Sequence, residues 1–183
     1  NSSEGPGAGE VQEAHMRFLE MLDCVNRDIH GSSTREQMLK DVLETVLGLF
    51  GCDLACLASP CEPGAVSWRP VMEAHKPEFT PFYALGAEVP LDTYVAGNFR
   101  ALLAADGPLT FGPGGDLPLN EEFQGRLKIN SMLAAAIYPG GEKPYMLGVL
   151  QCSGPRVWSK DEKDLLTEVG RRLADGMTSM AAY

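Results

Sequence analysis

Apolar residues at Val11, Phe18, Leu22, Val25 and Ile29 return in alternating steps of four and three, broken only where His15 takes a seam position. That period is the narrow stripe of a coiled-coil-like helix, and it predicts about five turns ending at Gly31. Glu13, Arg17, Glu20, Asp23 and Arg27 flank the stripe with charge, as suits a seam between helices. Ser33 with Glu36 three residues later predicts a capping box. It opens a second helix with apolar pairs Met38/Leu39, Val42/Leu43 and Val46/Leu47, closed by Gly51.

The period then changes. Residues 53–59 read as a short buried strand, 60–64 as a turn and 66–74 as a second strand, and two strands in a hairpin pair antiparallel. Residues 75–130 are mixed, with a strand near 88–91, a helix over 92–105, an extended piece at 109–111 and a short helix from Asn120. Gly112-Pro113-Gly114-Gly115 marks a loop. Residues 132–138 and 145–152 are apolar runs separated by a Pro/Gly-rich loop, a second hairpin. Ser159 with Glu162 repeats the capping box, and Leu166, Val169, Leu173, Met177 and Met180 form the stripe of a closing helix. Strands that arrive in hairpins, with helices before and after, define the α+β class: an antiparallel sheet with helices packed against it.

Composition narrows the function. The chain has 183 residues, 44% of them hydrophobic, which suits one domain with a sizeable core. A net charge of −10 and a pI near 4.7 argue against nucleic acid and anionic membranes as partners. No apolar run is long enough to span a bilayer, and the N-terminus has no basic stretch leading into one. Five cysteines (Cys24, Cys52, Cys56, Cys61, Cys152) are odd in number and scattered, as expected of free thiols in a reducing, cytoplasmic compartment. The predicted organisation is a disordered or extraneous lead at 1–9, a signalling and dimerisation helix at 10–31, and the domain proper at 32–183.

Catalytic chemistry finds few parts. Cys52 and Cys56 on an extended strand would stand roughly 13 Å apart, too far for one zinc ion; the alternative is small buried hydrophobes. His15 and His30 fall on the first helix, which leaves His75 as the one histidine placed to donate to a ligand or bind a haem, or else to sit exposed in a loop. Three histidines are too few for a triad or a multi-histidine metal site. The glycine cluster at 112–115 has no following Lys-Ser or Lys-Thr, and the glycines at 5, 7 and 9 follow no strand, so neither nucleotide loop is supported. No catalytic residue and no metal site is predicted.

The last third carries a resemblance. Ser131-Met132-Leu133-Ala134-Ala135-Ala136-Ile137-Tyr138, the Gly140-Gly141 turn, Leu147-Gly148-Val149-Leu150-Gln151-Cys152-Ser153 and Pro155-Arg156-Val157-Trp158-Ser159 resemble a GAF domain, from about Ser33 to Met180. Gly170-Arg171-Arg172-Leu173-Ala174-Asp175 in the closing helix is similar to the pattern of bacterial sensory-box histidine kinases. The resemblance implies a central antiparallel sheet of about five or six strands, with the terminal helices on one face and a ligand pocket under the variable middle segment on the other. It also implies a regulatory domain that senses a small molecule and signals to a kinase or other output in the same polypeptide. The alternatives are a structural dimerisation module with no ligand and an enzyme like the free methionine sulfoxide reductases, whose cysteine arrangement Cys152 and the first-strand cysteines do not match.

In bilin-attaching relatives the attaching cysteine is commonly followed by histidine, and none of the five here is. Asn120 and Phe123 lack the lysine and the Asp-Glu pair of cyclic-nucleotide-binding members. No cofactor is therefore predicted, and the ligand is left as an unknown small molecule. Phe79, Phe82, Tyr83, Tyr94, Phe99 and Phe111 supply aromatics in the middle segment. The candidate pocket set is Tyr83, Tyr94, Phe99, Arg100, Phe111, Tyr138 and Cys152. For a homodimer built through the terminal helices, the candidate interface is Phe18, Leu22, Val25, Ile29, Leu173 and Met177.

Overall fold

The computed structural model describes residue 5 and residues 7–81 and 83–181. Two helices, α1 (Ala8–Gly31) and α2 (Arg35–Phe50), lead into strands β1 (Leu54–Ser59) and β2 (Ser67–His75). A short β3 (Val89–Pro90), helix α3 (Thr93–Ala104) and β4 (Leu109–Phe111) form the middle segment, which ends in a π-helical turn at Glu122–Arg126. Strands β5 (Ser131–Ile137) and β6 (Tyr145–Gln151) make the second hairpin, and α4 (Lys160–Ala181) closes the domain. The six strands form one antiparallel sheet in the order β3-β2-β1-β6-β5-β4, so the two hairpins join along β1 and β6. Asn1, Ser2, Ser3, Glu4 and Pro6 of the expected lead lie outside the described residues, while Ala8 to Glu10 already belong to α1.

Local chemistry sets most boundaries. The second helix starts one residue later than expected: Thr34, not Ser33, is its cap and accepts from the Gln37 amide. Thr34 and Gln37 repeat the Ser33–Glu36 spacing one step along, so the pattern alone could not choose between them. Gly51 closes α2 in the left-handed conformation, where glycine carries no Cβ penalty. At the start of α4 the box is reciprocal: the Glu162 amide donates to Ser159 Oγ at 3.1 Å and the Ser159 amide to Glu162 Oε1 at 2.9 Å.

Alternation along the central strands sends side chains to two separate cores. Ala55, Leu57, Leu133, Ile137, Leu147 and Val149 face the layer of α1, α2 and α4. Leu54, Met132, Ala134 and Leu150 face α3 and the middle segment. The helix layer packs closely because α4 keeps glycine at its contacts. A Cβ on Gly170 would stand 2.8 Å from Ile137 Cγ2, and one on Gly176 would stand 2.9 Å from Ile29 Cγ2.

This layer consumes the expected dimer seam. Leu22, Val25, Leu173 and Met177 are fully buried inside the chain's own core, with Phe18 and Ile29 packed against it. The stripe on α1 is filled by α2 and α4 of the same chain, tied further by Arg172 donating to Asn26 Oδ1 at 3.0 Å. A four-and-three period reports that a helix has a partner along one seam; it does not say whose helix that is. The large apolar side chains of α1 that stay exposed are Val11, Met16 and Leu19.

Candidate functional site

A cavity of about 80 Å³ lies in the second core, on the sheet face away from the terminal helices. Strand alternation builds one wall, with Cys56 of β1, Met132 of β5, and Met146 and Leu150 of β6. In register, Glu73, Cys56, Gly148 and Ala134 lie side by side across four strands. A Cβ on Gly148 would stand 3.4 Å from Cys56 Sγ and 3.7 Å from both a Leu150 methyl and the Met146 methyl, so the missing side chain is what lets these three converge. Helix α3, capped by Asp92 accepting from the Val95 amide at 2.7 Å, supplies Val95, Asn98, Phe99 and Leu102.

Aromatic rings complete the enclosure. Trp68 of β2 stands edge-on to Tyr83, with ring centroids 5.3 Å apart. The Tyr83 hydroxyl reaches Glu122 Oε1 at 3.3 Å, which ties the loop to the π-helical turn. Phe111 and Phe123 fill the remaining side. Trp68 Nε1 is buried and has no hydrogen-bond partner among the described residues. Burial pushes the Cys56 thiol up to about 12, which favours its protonated form. Burial raises Tyr83 as well, helped by the nearby Glu122 charge.

The candidate pocket residues separate into two groups. Tyr83, Phe99 and Phe111 line the cavity together. Tyr94 does not: its hydroxyl donates to the Pro118 carbonyl at 2.7 Å and its ring leans on Phe123, so it braces the π-helical turn from outside. Arg100 follows Phe99 on α3, about 100° further round the helix, and is exposed to water. Tyr138 lies just past the end of β5 and is 58% exposed. Cys152 lies past the end of β6 and packs at the edge of the second core, its amide donating to Asp53 Oδ2. His75 ends β2, exposed, with Nδ1 2.9 Å from the Lys76 carbonyl oxygen. Phe79 packs half-buried on the second core, and Phe82 lies outside the described residues.

Trp68, Asn98, Met132 and Met146 were not among the expected pocket residues. Alternation on β5 and β6 points to the two methionines, since both share the cavity face with Gly148. Trp68 carries no such signal, because the bulge between Leu57 and Ala58 shifts the β1–β2 register, and Asn98 carries none because the side of α3 that meets the sheet is set by packing.

An antiparallel six-stranded sheet with terminal helices on one face and a cavity on the other is an α+β architecture with an internal pocket. The GAF domain family model matches residues 34–176, and the chain belongs to that family, whose members are sensory, ligand-binding signalling domains. Among solved structures the chain is similar to the phycoerythrobilin-bound GAF domain of a cyanobacterial phytochrome. There the TM-score is 0.72 at 18% identity, over 92% of this chain and 98% of that one. It is also similar to the GAF domain of a phosphoenolpyruvate-protein phosphotransferase from Coxiella burnetii, with TM-score 0.68 at 15% identity over 91% and 96% of the two chains. The corresponding Acinetobacter domain gives 0.65 at 13% identity, over 91% and 96%. At such identities the likeness is one of fold. No curated protein sequence matches the chain. Among the described residues no helix is long and apolar enough to cross a membrane.

Proposed function

We propose that this domain is the sensory unit of a signal-transduction protein, in which a small molecule occupies the cavity and its presence is relayed through α1 and α4 to an output domain, a histidine kinase being the output we favour. The observation that carries this reading is the division of the sheet. Met132 borders the cavity while Leu133, next along β5, is packed among the terminal helices. A ligand that moves β5 or β6 therefore pushes on α4 through a close-packed layer, and packed layers transmit small shifts. The relay is read as acting in a homodimer, with the exposed Val11, Met16 and Leu19 of α1 as its apolar contact.

The ligand we propose is smaller than the bilin of the cyanobacterial relative. A space of about 80 Å³ has no room for four pyrrole rings, and none of the five cysteines is followed by histidine. The test is a titration of the isotope-labelled chain with toluene, acetophenone, α-methylstyrene and benzoate, followed by amide exchange. Binding should shift amides of β1, β5, β6 and α3, and should change exchange rates in α1 and α4. No binding by any probe, together with no retained small molecule in native mass spectrometry, would leave the ligand-free structural module as the correct reading.

A further inference from the structure

We infer that the cavity selects a non-anionic molecule with a single aromatic ring and one hydrogen-bond acceptor, and that Trp68 Nε1 is the donor that recognises the acceptor. This rests on the small-molecule reading above and goes further by naming the ligand's chemistry.

Size comes first. At roughly 10–15 Å³ per water-sized position, about 80 Å³ holds about five to eight such positions. That is one six-membered ring with a short substituent. The walls favour an aromatic ring: Trp68, Tyr83, Phe99, Phe111 and Phe123 offer edges and faces, and Met132 and Met146 offer polarisable sulfur.

Charge comes second. The lining contains no lysine, arginine or histidine, and Arg100 on the adjoining helix faces water. A carboxylate or phosphate entering this space would lose its hydration with no cation to replace it. The ligand is therefore not an anion, which sets aside organic acids and nucleotides together.

Polarity comes third. A buried indole N–H without an acceptor is costly, and most buried polar groups in folded proteins have a partner. Trp68 Nε1 is such an orphan in a residue that borders the cavity. The Tyr83 hydroxyl, by contrast, is engaged with Glu122 Oε1 at 3.3 Å. An acceptor on the ligand satisfies this orphan donor.

The experiment compares acetophenone with α-methylstyrene, which has the same shape but CH₂ in place of the carbonyl oxygen. In the wild-type chain the indole N–H resonance of Trp68, assigned by its loss in Trp68→Phe, should move downfield with acetophenone and not with α-methylstyrene. Trp68→Phe should weaken acetophenone about five- to tenfold and change α-methylstyrene less than about twofold. Benzoate should bind more weakly than acetophenone. If both neutral probes bind and the indole resonance treats them alike, the assignment of Trp68 is wrong, and if benzoate binds tighter, that of a non-anionic ligand is wrong, while the sensory reading stands. If no probe binds, this inference falls, and the sensory reading falls with it only when native mass spectrometry also finds no retained small molecule. The resonance measurement uses the wild-type chain, so it decides the matter even if Trp68→Phe folds poorly.

Discussion

At the scale of single residues, Asp53 shows how one buried charge can hold the sheet together. Its side chain is 1% exposed, and Oδ2 accepts from the Cys152 and Ser153 amides at 2.8 Å each, while Lys76 Nζ stands 3.2 Å from Oδ1. The carboxylate thus joins the chain before β1 to the chain after β6. Burial works to raise its pKa, but the two amides, the Ser153 hydroxyl and Lys76 outweigh it, and the group titrates below its ordinary 3.8. A carboxyl with a depressed folded-state pKa contributes stability above its unfolded pKa and loses it as pH falls through the folded one. Asp53→Asn should therefore cost about 2–3 kcal/mol at pH 7. The gap to wild type in urea midpoints should narrow steadily from pH 4 toward pH 2. A gap that stays constant across that range would mean the charge is not what the site uses.

At the scale of elements, the helix layer is fastened at both ends of α2. Arg156 donates to the Phe50 and Gly51 carbonyls at its C-terminus, pairs with Glu162 in the first turn of α4, and lies 4.2 Å over the Trp158 ring. Arg35 at its N-terminus meets Glu142 and the Tyr145 hydroxyl at 2.7 and 3.0 Å. Helix α1 is held differently, by its apolar stripe. Leu22 is 3% exposed within that layer whereas Val11 on the same stripe is 54% exposed. Leu22→Ala should lower stability by about 3 kcal/mol through lost burial and the cavity left behind, and Val11→Ala by no more than about 0.5 kcal/mol. Urea denaturation of the two variants checks this, and equal effects would return α1 to the role of a detached helix.

At the scale of the whole molecule, the sheet separates a ligand face from a signalling face. The relay we propose runs through α1 and α4, whose packed stripes cannot also serve a second chain. An interface between copies must then use what the first turns of α1 leave in water. Met16→Glu with Leu19→Glu should turn a sedimenting dimer into a folded monomer whose melting temperature no longer depends on protein concentration, since both residues are exposed in the single chain. Wild-type chain that is already monomeric at high micromolar concentration would remove dimerisation from the mechanism.

Local pattern alone determined the α+β class, the two hairpins, the Ser159–Glu162 box and the extent of α3, because hydrogen bonding within an element and its burial period are set by neighbours in sequence. It also marked Tyr83, Phe99 and Phe111 as cavity candidates, since aromatics in a variable segment must find an apolar home. It could not tell Tyr94 from Tyr83, or Arg100 from Phe99, because facing a cavity depends on which element lies opposite. The Leu57/Ala58 bulge, the Trp68–Tyr83 contact and the close approach of α4 at Gly170 and Gly176 were decided by tertiary packing. The stripe of α1 was legible as a seam, but its partner was chosen only when α2 and α4 closed over the same sheet face and buried it within one chain.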